Sequence, residues 1–280
     1  MTRADTRKIK LIGLDLDGTL LNGKKQITDR SKEAMKKAIE KGVFIVPATG
    51  RPLNGVPREV LEFPGIKYVL TVNGARITDI KQNKILYEVL TPMETVWKIK
   101  EIFDRYDTMQ EVYFDGVGYA REDLLRKITE YESRPGMAEY ITATRVRVKS
   151  IEEKLREMNR PVDKVQAFFK REEEKQKAWE ELKMIPHLEV TTAGKRNIEV
   201  SREGVNKGAG LLKLGEMLGI KRDEIMACGD EINDLVMLRE IGFAVAMGNS
   251  PDIVKAAADY ITETNEEDGV AKAIERFVLK

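Results

Sequence analysis

Short uninterrupted apolar runs recur near both ends of the chain, and each gives way to polar or small residues. Leu11-Ile-Gly-Leu14 leads into Asp15, Val43-Phe-Ile-Val46 into Pro47-Ala-Thr49-Gly50, and Tyr68-Val-Leu-Thr-Val72 into Asn73-Gly74. Ile225-Met-Ala-Cys228 leads into Gly229-Asp230, and Phe243-Ala-Val-Ala-Met247 follows. Runs this short and this apolar predict strands buried on both faces of a parallel sheet. Helical spacing separates them. Ala34, Met35, Ala38 and Ile39 share a face between a capping Thr28 and a stop at Gly42. A second helix runs from Asn206 to Leu218 and stops at Gly219; a third carries Leu235, Val236 and Leu238. Ser250-Pro251 predicts an N-cap and first-turn proline for another helix. Asp259-Tyr-Ile261 reads as a last strand, and the stretch from Gly269 to Phe277 as a closing helix. Ile77 to Val89 predicts a hairpin around the polar turn from Asp79 to Lys84.

The middle of the chain has another grain. Thr91-Pro-Met-Glu94 predicts a capping box that opens a helix through Val96, Ile99, Lys100 and Phe103. Tyr113-Phe-Asp115-Gly116-Val-Gly-Tyr119 predicts a hairpin with an Asp-Gly turn. Ser150-Ile-Glu-Glu153 is a second capping box, and further strands are expected at 165–169 and 197–200. The charged run Lys170-Arg-Glu-Glu-Glu-Lys-Gln-Lys177 reads as a solvated helix face. The fold class is therefore α/β. A Rossmann-like parallel-sheet core, residues 1–84 and 201–280, holds an inserted α+β domain, residues 85–200.

Composition narrows the function. Lys and Arg total 48 against 47 Asp and Glu, a formal net charge of +1. No global field would gather nucleic acid or an anionic membrane, so neither is expected as a partner. No stretch approaches the roughly 18 apolar residues of a membrane span. The polar opening from Met1 to Lys8 is not expected to be a secretion signal. Cys228 is the single cysteine, which excludes an intramolecular disulfide; among Ile225, Met226 and Ala227 it reads as a core thiol in a cytoplasmic protein. His187 is the single histidine, which excludes chemistry needing two.

The remaining chemistry lies where strands end and helices begin. Asp15 and Asp17, Thr49 with Gly50, Lys207, and Asp230 with Asn233 and Asp234 all fall at such positions. In a parallel α/β sheet the C-terminal strand ends form the ligand edge. Taken singly, Lys207 reads as a surface lysine, Thr49 as a helix cap, and Asp230 and Asp234 as capping acids. Taken together they fit phosphoryl transfer. Clustered carboxylates repel unless a cation holds them, and an all-oxygen set without His or Cys selects Mg2+. An ionised aspartate can then attack phosphorus while a lysine and a hydroxyl hold the other phosphoryl oxygens.

The ordered set Asp15-Leu-Asp-Gly-Thr-Leu20, Ala48-Thr-Gly-Arg51, Asn206-Lys-Gly208 and Gly229-Asp-Glu-Ile-Asn-Asp-Leu235 resembles the haloacid dehalogenase superfamily. The position of the insert resembles the subfamily with a type C2 cap, the Cof-like phosphatases of subclass IIB, and bacterial sugar-phosphate phosphatases among them. Thr71-Val-Asn-Gly-Ala75, Val245-Ala-Met-Gly-Asn249 and Glu267-Asp-Gly-Val-Ala271 add to the likeness. The resemblance implies Asp15 as nucleophile and metal ligand, and Asp17 as general acid/base with its carbonyl on the metal. It implies Asp230 and Asp234 for Mg2+, and Thr49, Gly50, Lys207 and Asn233 for the phosphoryl group. Arg51 matches the family pattern and reads equally as a structural ion pair. The expected substrate is a small phosphorylated metabolite, a sugar phosphate first, with flavin-pathway intermediates and pyridoxal phosphate left open, because side chains of the insert choose among them. Tyr113, Asp115, Tyr119 and Arg121 are candidates for that reading, and equally for the insert's own core and surface. Two other readings stay open. One is a phosphomutase, though the short stretch between Asp17 and Thr49 leaves no room for the cap such mutases carry there. The other is an aspartate-phosphorylated switch or small-molecule binding protein, against which the second acid at Asp17 weighs.

Overall fold

The computed structural model describes residues 8–192 and 194–280. The opening of the chain, 1–7, lies outside the described residues, and so does the expectation that it is no secretion signal. Two compact units are present. One takes the chain as far as Gly50, then Val56–Tyr87 and Asn206–Lys280; the other takes Arg51–Gly55 and Glu88–Val205.

The first unit is built on a five-stranded parallel sheet. Its spatial order is Tyr260–Ile261, Phe243–Ala246, Ile225–Gly229, Leu11–Leu14, Phe44–Pro47. Leu14 pairs with Cys228 on one side and Pro47 on the other, so the residues after these strands emerge at one edge. Leu11–Leu14, Ile225–Gly229 and Phe243–Ala246 are buried along their whole length, as helices on both faces require. The helix Asp29–Glu40 begins where the Thr28 side chain accepts from the Ser31 amide at 3.2 Å. Helix Lys207–Leu218 begins likewise, with Asn206 accepting from the Ala209 amide at 2.8 Å, and ends on the left-handed Gly219.

Strand Tyr68–Thr71 departs from the expected parallel pattern. It touches the main sheet through one parallel bridge, Ala48 to Leu70, and forms its ladder antiparallel with Arg76–Asp79. Lys84–Glu88 completes that three-stranded sheet. The connection from Thr71 to Arg76 is too short for a crossover, so the chain must double back. It does so through three consecutive residues at positive φ: Val72 at 51°, Asn73 at 56° and Gly74 at 91°. A β-branched residue is a true outlier there, at a cost of about 1–2 kcal/mol.

The second unit has a six-stranded sheet ordered Leu188–Thr191, Asn197–Arg202, Lys164–Phe169, Thr108–Phe114, Val117–Arg121, Val146–Val148. Every pair is antiparallel except the last. Helices Met93–Phe103, Ile151–Met158 and Glu172–Lys183 cover one face, where Val96, Phe103, Leu155 and Leu182 pack on Val112, Phe114, Val165 and Val200. Alternation puts Glu111, Tyr113, Lys164, Gln166 and Glu199 on the opposite face, and all five are buried. Arg145 pairs with Glu111 and Lys164 with Glu199, each at 3.0 Å. The Asp115-Gly116 turn has both residues left-handed, as a two-residue hairpin demands.

Two expected caps differ. Helix Met93–Phe103 starts with Pro92 in the cap position and no side-chain cap bond. Thr91 instead exchanges both backbone bonds with Val162, at 2.8 and 3.0 Å, and that pairing takes it out of capping geometry. Pro251, not Ser250, precedes the helix Asp252–Lys255. Ser150 does accept from the Glu153 amide, at 3.3 Å. The charged run 170–177 is largely exposed, with Glu174 and Lys175 half-buried.

The contrast between the two threonines is measurable. Thr28→Ala should lower unfolding free energy by about 1 kcal/mol. Thr91 has a buried hydroxyl without a hydrogen-bond partner among the described residues. Thr91→Val should therefore cost nothing or stabilise in the same urea titration.

Candidate active site

The first apolar strand ends on Asp15, whose amide donates to the Cys228 carbonyl of the neighbouring strand at 3.1 Å. The chain then coils tightly, with the Leu20 amide returning to the Asp15 carbonyl at 3.2 Å and Leu21 to Leu16 at 2.9 Å. Gly18 sits in that coil at φ 84°, and a Cβ there would lie 2.2 Å from Asp230 Oδ2. Only glycine lets this loop close on the acid that follows strand Ile225–Gly229. Thr19 completes the contact by donating to Asp230 Oδ1 at 2.7 Å.

Lys207 arrives from the N-terminus of its helix. Its Nζ donates to Asp15 Oδ1 at 2.6 Å and to Asp234 Oδ1 at 2.7 Å. The other oxygen of Asp234 accepts from the amides of Asp230, at 3.0 Å, and Glu231, at 3.1 Å, which fixes the turn. Lys207 is 1% exposed and Asp234 fully buried, so this is a sealed ionic centre. Asp15, Asp230 and Asp234 each bring a carboxylate oxygen within 4.8 Å of the others.

The other expected residues take varied places. Thr49 is buried, its amide donating to Leu70 and its carbonyl accepting from Asn73, both at 3.0 Å. Gly50 follows it, half-buried. Asn233 lies in the short turn Ile232–Asp234, with Oδ1 buried and no hydrogen-bond partner among the described residues. Asp17 is half-buried in an ion pair with Lys25 at 2.7 Å, and its charge is felt at Asp15. Arg51 falls in the second unit, stacked 4.3 Å over Tyr140 and donating to the Gly55 carbonyl at 2.8 Å. Tyr113 is buried and donates to Glu111; Asp115 pairs with Arg160 and Arg121 with Asp123. Tyr119 is half-buried beside Phe114. Cys228 is buried, and burial pushes its thiol up to about 12. His187 is exposed and bonded to Glu203 at 2.8 Å.

Three residues close to the centre were not singled out from sequence. Thr19 lies inside the first motif, so a signal existed. Asn249 donates to the Gly18 carbonyl at 2.9 Å and faces Asp230 Oδ2 at 3.4 Å. Lys25 belongs to a polar loop with nothing in the pattern to mark it.

Electrostatics follow from the packing. Burial pushes Asp15 up to about 7, against the pull of Lys207, with Asp234 adding to the rise. Burial, then the charges of Asp15 and Asp234, push Asp230 up to about 9. Burial alone would depress Lys207, but Asp15 and Asp234 outweigh it and hold the ammonium above its ordinary value. The centre therefore sets three carboxyl groups against one ammonium, and a cation would let all three ionise. Its all-oxygen donors and the orphaned Asn233 oxygen fit a hard divalent ion.

Comparison with known proteins places the chain in a family. Residues 12–274 match the family model of haloacid dehalogenase-like hydrolases. A 5-amino-6-(5-phospho-D-ribitylamino)uracil phosphatase of Bacillus subtilis is 34% identical over 277 residues, covering 97% of this chain and 96% of the relative. A second B. subtilis phosphatase of the same name is 30% identical, covering 95% and 97%. The solved structure of a haloacid dehalogenase subclass IIB sugar phosphatase superposes with a TM-score of 0.82 at 28% identity, covering 96% of this chain and 98% of that one. The chain belongs to the haloacid dehalogenase-like hydrolases, and it is a phosphatase.

Proposed function

We propose that this protein is a Mg2+-dependent phosphomonoesterase that hydrolyses a small phosphorylated metabolite through an aspartyl-phosphate on Asp15. The observation that carries the reading is the buried Lys207 ammonium joining Asp15 to Asp234, with Asp230 beside them. Asp15, Asp230, Asp234 and the Asp17 carbonyl would hold the cation, which when bound neutralises a phosphate dianion close to an anionic nucleophile. Asp15 attacks phosphorus and the ester oxygen leaves. Lys207, Thr49, Gly50 and Asn233 hold the equatorial oxygens, and the fixed ammonium takes up developing charge without reorganising. Asp17 gives a proton to the leaving alkoxide and later takes one from the water that attacks the phosphoenzyme.

Residues 85–200 are assigned the choice of substrate, and the cytoplasm is the assigned place of action. Among the described residues no helix is long and apolar enough to cross a membrane. The named relatives act on a phosphorylated ribityl compound, and the solved neighbour is a sugar phosphatase. Both descriptions support a phosphate ester on a hydroxylated carbon chain.

The test is phosphate release from a panel of sugar phosphates, phosphorylated ribityl compounds and pyridoxal phosphate, with Mg2+ and with chelator. Asp15→Asn should cut kcat by about a thousandfold or more. Full activity in that variant would overturn the mechanism, and isomerised ester without free phosphate would point to group transfer instead.

The cation has its own test in stability. Asp15 and Asp230 keep their protons to higher pH when folded, from 3.8 up to about 7 and about 9. Their contribution to stability is thus complete below about pH 4 and fades as pH rises through those folded values. Mg2+ offsets that loss, so it should raise Tm far more at pH 8 than at pH 5, where protons compete for the same oxygens. Equal shifts at both pH values would separate Mg2+ binding from these carboxylates.

A further inference from the structure

The left-handed turn Val72-Asn73-Gly74 lies between the two segments assigned to hold the phosphoryl group. On one side, Asn73 is buried, its amide donates to the Thr49 carbonyl, and the Thr49 amide returns to Leu70. A Cβ on Gly50 would lie 2.7 Å from Asn73 Oδ1, so the carboxamide lies against the Gly50 backbone. On the other side, a Cβ on Gly74 would lie 2.4 Å from the Asn206 carbonyl oxygen and 3.4 Å from Lys207 Cα. A Cβ on Gly210, one turn into the same helix, would lie 2.7 Å from Leu70 and 3.2 Å from Gly74 Cα. The turn is therefore in close contact with both neighbours. Its strained backbone, with a valine at φ 51°, persists only because the surroundings over-determine it.

We propose that Asn73 and Gly74 are positioning residues, which set the distance between Thr49 and Lys207 to match a phosphoryl group. This rests on the phosphatase reading above. The Asn73 amide holds the Thr49 carbonyl while its carboxamide packs against the Gly50 backbone, and Gly74 fixes how close the start of the lysine helix comes. Neither residue is assigned a contact with substrate. Their effect passes through the spacing of the two groups that grip the transferred phosphate, where a misplacement of about 1 Å costs as much as a hundredfold in rate.

The test uses p-nitrophenyl phosphate hydrolysis with Mg2+, orthovanadate inhibition and thermal unfolding on the full chain. Asn73→Gly keeps the backbone freedom to adopt positive φ and removes only the side chain. Gly74→Ala drives a methyl group at the Asn206 carbonyl. Each should lower kcat roughly tenfold or more, and raise the half-inhibiting vanadate concentration by a similar factor, with KM moved much less. In Asn73→Gly the Tm should stay near wild type, which keeps the test valid if Gly74→Ala fails to fold. Unchanged kcat and vanadate sensitivity in Asn73→Gly would overturn the proposal alone. So would a fall in kcat matched by lost folded protein, with vanadate sensitivity kept. A wild type that neither hydrolyses the ester nor responds to vanadate would overturn the phosphatase reading and this inference with it.

Discussion

A lysine ammonium taken out of water demands anionic partners close by, and Lys207 has two, Asp15 and Asp234. Removing one partner of such a buried pair costs about 3–5 kcal/mol, because the charge left behind cannot be solvated. The demand reaches far along the chain, since the three residues come from the first strand, the helix after Asn206 and the turn after Gly229. Folding that satisfies Lys207 therefore also assembles the edge where the sheet's strands end. The same contact leaves a second problem unresolved. Asp230 lies beside that pair, and burial, then the charges of Asp15 and Asp234, push its carboxyl up to about 9. Stability and chemistry thus make the same request at this edge, for one more positive charge.

Close approach is the second constraint. Gly18 lets the loop after Asp15 lie on Asp230, and the Thr19 hydroxyl turns that contact into a hydrogen bond. Asn249 adds a tie from the far side, to the Gly18 carbonyl. The side chains that carry charge are thus held by neighbours that carry none.

Much of this was readable in the sequence because each acid follows an apolar run that can only be a buried strand. Asp15, Asp230 and Asp234 come together because parallel strands share a C-terminal edge, and Lys207 reaches them from the N-terminus of its helix. Part of what escaped depended on partners distant in sequence. Thr91 has the spacing of a capping box, yet Val162 claims its backbone. Strand Tyr68–Thr71 has the apolar pattern of a parallel strand, but the few residues before Arg76 return it antiparallel. Thr19 meets Asp230 across 211 positions, a contact no local pattern contains. The ion pair of Asp17 with Lys25 is close in sequence, but a surface lysine in a polar loop carries no signal.

Cys228 has a consequence apart from catalysis. It pairs in register with Leu14, and its carbonyl receives the Asp15 amide, so the one thiol of the chain lies in the strand beside Asp15. Buried and held as the neutral thiol, it is closed to alkylating reagents while the strands stay paired. Its labelling rate consequently reports how often the central strands part, a local opening free energy read at the strand pair bearing the site. The protein thus carries a native probe of its own breathing, with no label to introduce and no second thiol to confuse the signal.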